Sequence, residues 1–193
     1  MTRPPVALTI AGSDPSGGAG LQADLKTFQA LGVYGMAAVT MVTVQNTRGV
    51  SRVHALDAAL VREQVEACVS DIPPGAVKTG ALGSAAVIEA VAEVAETLAC
   101  PLVVDPVMIS KHGHALLDEE AEAALREVLV PLAGVLTPNR FEAARLAGMP
   151  NLPETREELL AAGERLLGMG ARAVLLKGTG IGGRADDLLL DGA

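Results

Sequence analysis

The chain has 193 residues, which suits a single domain and allows a sizeable core. Half of the residues are apolar, but only 2% are aromatic and none is Trp, so the core must be aliphatic. Twenty-three acidic residues against 15 basic ones give a net charge of −8, and no basic run interrupts that balance. This charge pattern argues against a nucleic-acid surface.

The sequence also predicts a cytoplasmic protein with no membrane partner. No apolar run reaches the roughly 18 residues needed to cross a bilayer, and residues 1–5 lead directly into a short apolar stretch without a signal-peptide pattern. Cys68 and Cys100 are isolated and form no C-x-x-C motif. We therefore expect two reduced structural thiols.

Predicted strands and helices alternate along the whole chain. In order they are strand 6–10, a glycine-rich loop 11–20, helix 21–31, strand 36–44, helix 57–70, strand 76–79, helix 84–98, strand 102–105, helix 118–130, strand 135–137, a helix after Pro138, helix 155–169, strand 173–177 and strand 188–190. Continuous apolar strands between helices predict a largely parallel sheet covered on both faces. In such sheets ligands bind at the carboxyl ends of the strands, so the loops there are the places to search.

The loop after the first strand has four glycines in the nine residues 12–20. Glycines allow the backbone to come close to a ligand. The loop lacks the third glycine of the dinucleotide fingerprint and the G-K-[ST] of a Walker loop. Composition alone therefore leaves a tight turn and a ligand site equally open.

Asp24 lies in the first turns of the predicted helix 21–31. At 100° per residue it falls between Phe28 and Leu31 on the apolar face. An inward carboxylate needs a partner, and a polar group of a ligand is one possibility. The alternative is an acid that is favoured near a helix N-terminus by the macrodipole.

Gln45, Asn46 and Thr47 follow the predicted strand 36–44. A side-chain amide offers both a donor and an acceptor, which suits the edge of an aminopyrimidine. Ordinary turn chemistry by Asn46 and Thr47 remains the alternative.

Charged residues end three later strands. Asp105 ends strand 102–105, Asn139 and Glu142 follow strand 135–137, and Lys177 ends strand 173–177 just before Gly178. Two acids at neighbouring strand ends can hold Mg²⁺ directly or through water, and a lysine can reach a phosphate as a point charge. The alternatives are a capping acid, a solvated helix acid and a surface lysine.

The three histidines do not predict a metal site. His112 and His114 form an H-x-H pattern with no third ligand, in a segment that we expect to be a solvated loop, and His54 has no partner in sequence.

Six segments of the chain follow one another in a recognisable order. They are ALTIAGSDPSGGAGLQADLK (7–26), QNTRGV (45–50), KTGAL (78–82), VDPVM (104–108), TPN (137–139) and LKG (176–178). Together they resemble the hydroxymethylpyrimidine/phosphomethylpyrimidine kinases of thiamine biosynthesis, which are members of the ribokinase-like superfamily.

The resemblance implies one kinase domain over residues 1–193 with a three-layer α/β/α ribokinase-like fold and a largely parallel central sheet. It implies ATP-dependent phosphorylation of 4-amino-5-hydroxymethyl-2-methylpyrimidine and then of its monophosphate, with Mg²⁺. It also implies a homodimer. Carried over by the resemblance, the substrate-binding residues are Gly12, Ala19, Asp24, Gln45 and Val107; the nucleotide-binding residues are Asn139, Lys177 and Gly178; the metal ligands are Asp105 and Glu142.

The sequence departs from this family in one respect. Family members carry a second glycine-rich segment of the G-T-G-C type, which opens a helix and forms an anion hole for the transferred phosphate. Gly178, Thr179 and Gly180 follow the last motif directly and do not match that segment, and Asp191-Gly192 is typical of a hairpin turn. We therefore expect a C-terminally incomplete domain, with no catalytic residue in this chain and the anion hole beyond Ala193. Such a chain should be inactive as a kinase and prone to associate.

Two other functions stay open on the sequence. One is a pyridoxal or sugar kinase of the same superfamily, although the QNTRGV segment speaks against a sugar. The other is a ligand-binding remnant without catalytic activity.

Overall fold

The structure is a computed structural model that describes residues 3–109, 116–178, 180–181 and 185–192. The strands are β1 Val6–Ala11, β2 Tyr34–Val39, β3 Met41–Asn46, β4 Gly49–Ala55, β5 Ala76–Thr79, β6 Leu102–Val104, β7 Val135–Leu136, β8 Ala173–Leu176 and β9 Leu188–Asp191. The α-helices are α1 Gly20–Ala30, α2 Ala58–Asp71, α3 Ala85–Ala95, α4 Glu119–Ala124, α5 Arg140–Leu146 and α6 Arg156–Gly168. A π-helical turn and a 3₁₀ turn continue α4 to Leu132.

Seven strands form the central sheet in the order β2-β1-β5-β6-β7-β8-β9. All neighbours are parallel except β9, which runs antiparallel to β8. This confirms the predicted largely parallel sheet. Because the parallel strands end at the same edge, the loops that follow β1, β5, β6, β7 and β8 meet there.

The two faces of this sheet differ in how well they are covered. On one face Val77, Val104, Leu136 and Leu176 are fully buried within the core. On the other face α1 packs over β1 and β2. The residues of β6, β7 and β8 on this face are only half-buried, and Leu189 in β9 is 68% exposed. Within the described ranges, the second face therefore has apolar side chains that no helix covers.

The predicted strand 36–44 is two strands in the structure. Thr40 is fully buried between β2 and β3, where its hydroxyl donates to the Ala81 carbonyl oxygen at 2.7 Å and its N–H donates to Ala11 O. β3 leaves the central sheet here and pairs antiparallel with β4, which the sequence analysis did not predict. A continuous apolar run carries no signal of such a break.

Two smaller expectations also change. Helix α1 ends at Ala30, and Leu31 is 72% exposed instead of lying on the buried face. The strand expected at 188–190 is β9, and it pairs antiparallel with β8, with Leu175 opposite Leu189.

Cys68 and Cys100 are free thiols, as expected, and burial raises the pKa of each. His54 lies exposed on β4. The segment that contains His112 and His114 lies outside the described residues. Among those that are described, no helix is both long and apolar enough to traverse a bilayer.

Candidate active site

A cleft of about 340 Å³ opens where β1, β5 and β6 end. All five predicted substrate-binding residues line it, and so does one of the two predicted metal ligands. The lining includes Gly12, Ala19, Asp24, Gln45, Asp105 and Val107. Residues that are distant in sequence therefore meet at the sheet edge where the strand-end rule places ligands.

The glycine-rich loop forms one wall of this cleft through a close backbone approach. The Leu21 N–H donates to Gly12 O at 3.0 Å, and Gly20 has a φ of +56°. A Cβ atom at Gly20 would lie 2.3 Å from Gly12 O, so only glycine fits there.

Asp14, which was not among the predicted site residues, holds the loop together. Its side-chain carboxylate accepts hydrogen bonds from the Ser16 N–H and hydroxyl and from the N–H groups of Gly18 and Ala19. Burial acts to raise the pKa of Asp14, but these hydrogen bonds outweigh burial and hold the pKa below its usual range. The available signal was an aspartate three residues before a Gly-Gly pair, which is typical of side-chain to backbone turn bonding.

Asp24 points inward, as its place on the helix predicted, but its partners belong to the protein. Its Oδ2 accepts a hydrogen bond from the Thr9 hydroxyl at 2.6 Å and forms an ion pair with Lys78 Nζ at 2.9 Å. Lys78 also lines the cleft and was not predicted as a site residue. A lysine within a strand that lies inside the sheet was the signal that could have found it.

Gln45 lies inside β3, opposite Val50, at a register irregularity that follows Val44. Both Gln45 and Val50 line the cleft. The β3–β4 ribbon is tied to the glycine-rich loop by Thr43, whose hydroxyl donates to Ser13 O at 2.7 Å. The ribbon that carries Gln45 is therefore fixed against the glycine-rich loop.

The predicted nucleotide and metal residues form a second group beside the cleft. Lys177 Nζ lies 2.8 Å from Asp105 Oδ1, and the Lys177 N–H donates to the Pro138 carbonyl oxygen. Asn139 caps α5 by accepting from the Glu142 N–H, and Glu142 returns the contact by accepting from the Asn139 N–H.

Glu142 is only 4% exposed. Burial raises its pKa; the Asn139 N–H acts in the opposite direction, the neighbouring Asp105 charge raises the pKa further, and Lys177 lowers it. Glu142, Asp105 and Lys177 thus form one electrostatic group.

A Mg²⁺ ion is compatible with this group. No cluster of three or more His, Cys, Asp or Glu side chains suited to a metal occurs among the residues described. Mg²⁺ does not need one, because it keeps several waters and commonly binds through one or two carboxylates plus substrate phosphates. The contact with Lys177 is made by Asp105 Oδ1, and the carboxylate has a second oxygen that could serve as a ligand.

Gly178 has a φ of +50°, and its N–H donates to Asp187 Oδ1 at 2.7 Å. Asp187 was not predicted from the sequence. The neighbouring Thr179 lies outside the described residues.

A largely parallel α/β sheet with a substrate-sized cleft and an Asp–Lys group at its carboxyl edge is consistent with the ribokinase-like fold class. Comparison with known proteins agrees. The family model for phosphomethylpyrimidine kinase matches residues 14–193. The chain belongs to the phosphomethylpyrimidine kinase family, which confirms the resemblance and the predicted fold class.

Individual relatives give the extent of the similarity. A hydroxymethylpyrimidine/phosphomethylpyrimidine kinase of Synechococcus elongatus is 51% identical over 90% of this chain, and the chain spans 65% of that protein. A crystal structure of phosphomethylpyrimidine kinase from Clostridium difficile has a TM-score of 0.89 and 45% identity, covering 97% of this chain and 80% of that one. An ADP complex of Bacillus subtilis pyridoxal kinase has a TM-score of 0.87 and 39% identity, covering 99% and 72%.

Proposed function

We propose that the protein is an ATP-dependent kinase of thiamine biosynthesis. It phosphorylates the hydroxymethyl group of 4-amino-5-hydroxymethyl-2-methylpyrimidine and then the resulting monophosphate. The observation that carries this proposal is the convergence of all five predicted substrate residues on one cleft, which ends at Asp105, the ion-pair partner of Lys177.

The cleft suits a small aromatic ring with a polar edge. Its volume of about 340 Å³ lies at the lower end of the range for small-molecule sites. Met41, Val50 and Val107 supply apolar contacts, and the Gln45 amide pairs with the aminopyrimidine edge. The Asp24–Lys78 pair adds polar atoms without adding net charge to the cleft.

Phosphoryl transfer needs positioning and charge neutralisation more than covalent chemistry. In the proposed roles, Lys177 contacts a phosphate of ATP, and Asn139 and Gly178 shape the nucleotide side. Asp105 and Glu142 would hold Mg²⁺, directly or through water, and the ion would neutralise phosphate charge. Lys177 then exchanges its bond with Asp105 for one with phosphate. The proposal includes a homodimer in the cytoplasm, where ATP is available.

Pyridoxal kinase is the second candidate activity. The observation that favours it is the similarity to the Bacillus subtilis pyridoxal kinase, which extends over nearly the whole chain. Pyridoxal is also a small aromatic ring that carries a hydroxymethyl group, so the same cleft size suits it.

The test is a product assay with ATP, Mg²⁺ and either the pyrimidine or pyridoxal, in which phosphorylated products are resolved by mass spectrometry. The Synechococcus elongatus relative serves as the positive control. Formation of pyrimidine diphosphate, with kcat/KM at least about tenfold above that for pyridoxal, supports the proposal. Higher kcat/KM for pyridoxal supports the second candidate.

Calorimetry of pyrimidine binding accompanies the assay. Binding without turnover by the protein in its full natural length, under conditions in which the control enzyme is active, would identify a ligand-binding protein and contradict the kinase proposal.

A further inference from the structure

The glycine-rich loop between β1 and α1 contains a carboxylate where loops of this kind often hold a bound phosphate. Successive backbone N–H groups ahead of a helix N-terminus form concave anion sites. Here Asp14 Oδ1 accepts from the Ser16 N–H at 2.9 Å and from the Ser16 hydroxyl at 2.7 Å. Oδ2 accepts from the Gly18 N–H at 3.1 Å and from the Ala19 N–H at 2.9 Å. These three N–H groups and the Ser16 hydroxyl form what we call the loop nest.

The carboxylate fills the loop nest as a fixed part of the protein. Asp14 is 3% exposed, and its own N–H donates to Gln22 Oε1 at 2.7 Å, which fixes the start of the loop. Hydrogen bonds to an ionised acceptor are among the stronger ones in proteins. A ligand phosphate could enter the nest only by displacing a buried, fully bonded carboxylate.

The loop nest also sets the shape of the cleft wall. Gly18 and Ala19 both line the cleft, and Ala19 is the N-cap of α1, where no side chain caps the helix. Their N–H groups point to Asp14, so the Asp14 carboxylate decides where this part of the wall lies.

We propose that Asp14 is a positioning residue that acts as a built-in anion: its carboxylate fills the loop nest, holds Ala19 against the cleft, and closes the loop to phosphate groups of ligands. A phosphorylated pyrimidine then binds with its phosphate directed away from the loop, toward Asp105 and Lys177. This orientation rests on the proposed function, whereas the closed nest does not.

The experiment compares the parent with Asp14→Ala, which empties the nest. Ser16→Ala is the matched control, because it removes one donor and leaves the carboxylate. Thermal unfolding is measured in sodium formate and in sodium chloride at equal ionic strength. We expect formate to raise the Tm of Asp14→Ala relative to chloride and to leave the parent and Ser16→Ala unchanged. Equal responses of all three proteins would overturn the proposal.

Ligand binding gives a second readout that a purely structural role would not produce. Asp14→Ala should bind the pyrimidine about tenfold more weakly, and formate should restore most of that loss. Inorganic phosphate should bind Asp14→Ala in competition with formate and should not bind the loop of the parent. Weak binding that formate does not restore would count against Asp14 as a replaceable anion.

Two outcomes are kept apart by this design. If the parent does not bind the pyrimidine, the proposed function fails, but the formate response of Asp14→Ala still tests the nest. If Asp14→Ala does not fold, Asp14→Asn is used, since it retains one carbonyl oxygen and turns an NH₂ group toward the remaining donors. Parent-like pyrimidine affinity and Tm in Asp14→Asn would overturn the proposal.

Discussion

Two glycine-containing loops of this protein each place an aspartate carboxylate on backbone N–H groups, but they do so very differently. In the loop after β1, Asp14 is buried and accepts four hydrogen bonds. Between β8 and β9, Asp187 is exposed, and among the residues that the structure describes its carboxylate accepts a hydrogen bond from the Gly178 N–H.

The difference supports the proposed division of the site into a substrate side and a nucleotide side. Displacing Asp14 would break the four hydrogen bonds that a buried carboxylate accepts, which is costly. Displacing Asp187 returns an exposed carboxylate to water at little cost. Lys177, next to Gly178, is paired with Asp105 at an exposure that lets a phosphate compete. We infer that phosphate chemistry belongs to the second loop and ring recognition to the first.

One of the two largest effects should come from Lys177 on the nucleotide side. Lys177→Met should weaken ATP binding about 10- to 100-fold, because a hydrogen bond to a charged group is lost. Pyrimidine affinity should stay the same. Calorimetry with saturating Mg²⁺ measures both, and Lys78→Met is the matched control, since it removes the other paired lysine. Unchanged ATP affinity in Lys177→Met would contradict the proposed division into a substrate side and a nucleotide side.

Gln45 tests the substrate side, where a substitution should change pyrimidine affinity and not ATP affinity. Gln45→Ala should weaken pyrimidine binding by roughly 1–3 kcal/mol, the cost of leaving buried polar groups unpaired. ATP affinity should barely change. If titrations gave the same pyrimidine affinity for variant and parent, the amide would have no role in recognition.

The Asp24–Lys78 pair should contribute less. Asp24→Asn keeps an oxygen that can accept from Thr9 but loses the charge opposite Lys78. The pair is partly exposed, so a double-mutant cycle with Lys78→Met should give a coupling of only about 0.2–1 kcal/mol in the free energy of unfolding. Asp24→Asn should also lower pyrimidine affinity in the folded protein. Normal affinity together with a large loss of stability would make the pair purely structural.

Glu142 predicts a pH-dependent difference in stability. Its pKa is raised in the folded state, so the folded protein favours the neutral carboxyl. The contribution of Glu142 to the free energy of unfolding is therefore fully present below the unfolded pKa of about 4.3 and is lost as the pH rises through the folded pKa. Glu142→Gln does not lose stability in this way, because glutamine has no ionisable group. Urea unfolding at about pH 4 and about pH 7 should therefore show the variant gaining stability relative to the parent as the pH rises. A constant difference would contradict the raised pKa.

The smallest effect is expected at Asp187. Asp187→Asn should raise ATP affinity by no more than about threefold, because it removes an exposed negative charge near the nucleotide side. The same calorimetry measures this change, and Asp186→Asn is the matched control. A marked loss of ATP affinity would mean that Asp187 supports the nucleotide directly.

Local sequence patterns determined much of this protein. Strand β5 has the predicted bounds, and the predicted helices 84–98, 118–130 and 155–169 have Ser84, Asp118 and Thr155 as their N-caps. Capping and apolar runs depend on residues within one turn or one strand, so the sequence alone shows them. The strand-end rule likewise brought Asp105 to the site, because it needs only the order of elements, whereas Gln45 reaches the cleft from within β3.

Contacts between distant segments were decided by the tertiary structure. The break at Thr40 depends on hydrogen bonds to Ala11 and Ala81, and the partner of Asp24 is Lys78, 54 residues away. No local pattern encodes such pairs, since each residue satisfies its polar group with whatever the fold brings near it. Sequence therefore identified which polar residues stand at the strand ends, and only the packed sheet decided which of them meet and whether each carboxylate is fixed or free to exchange.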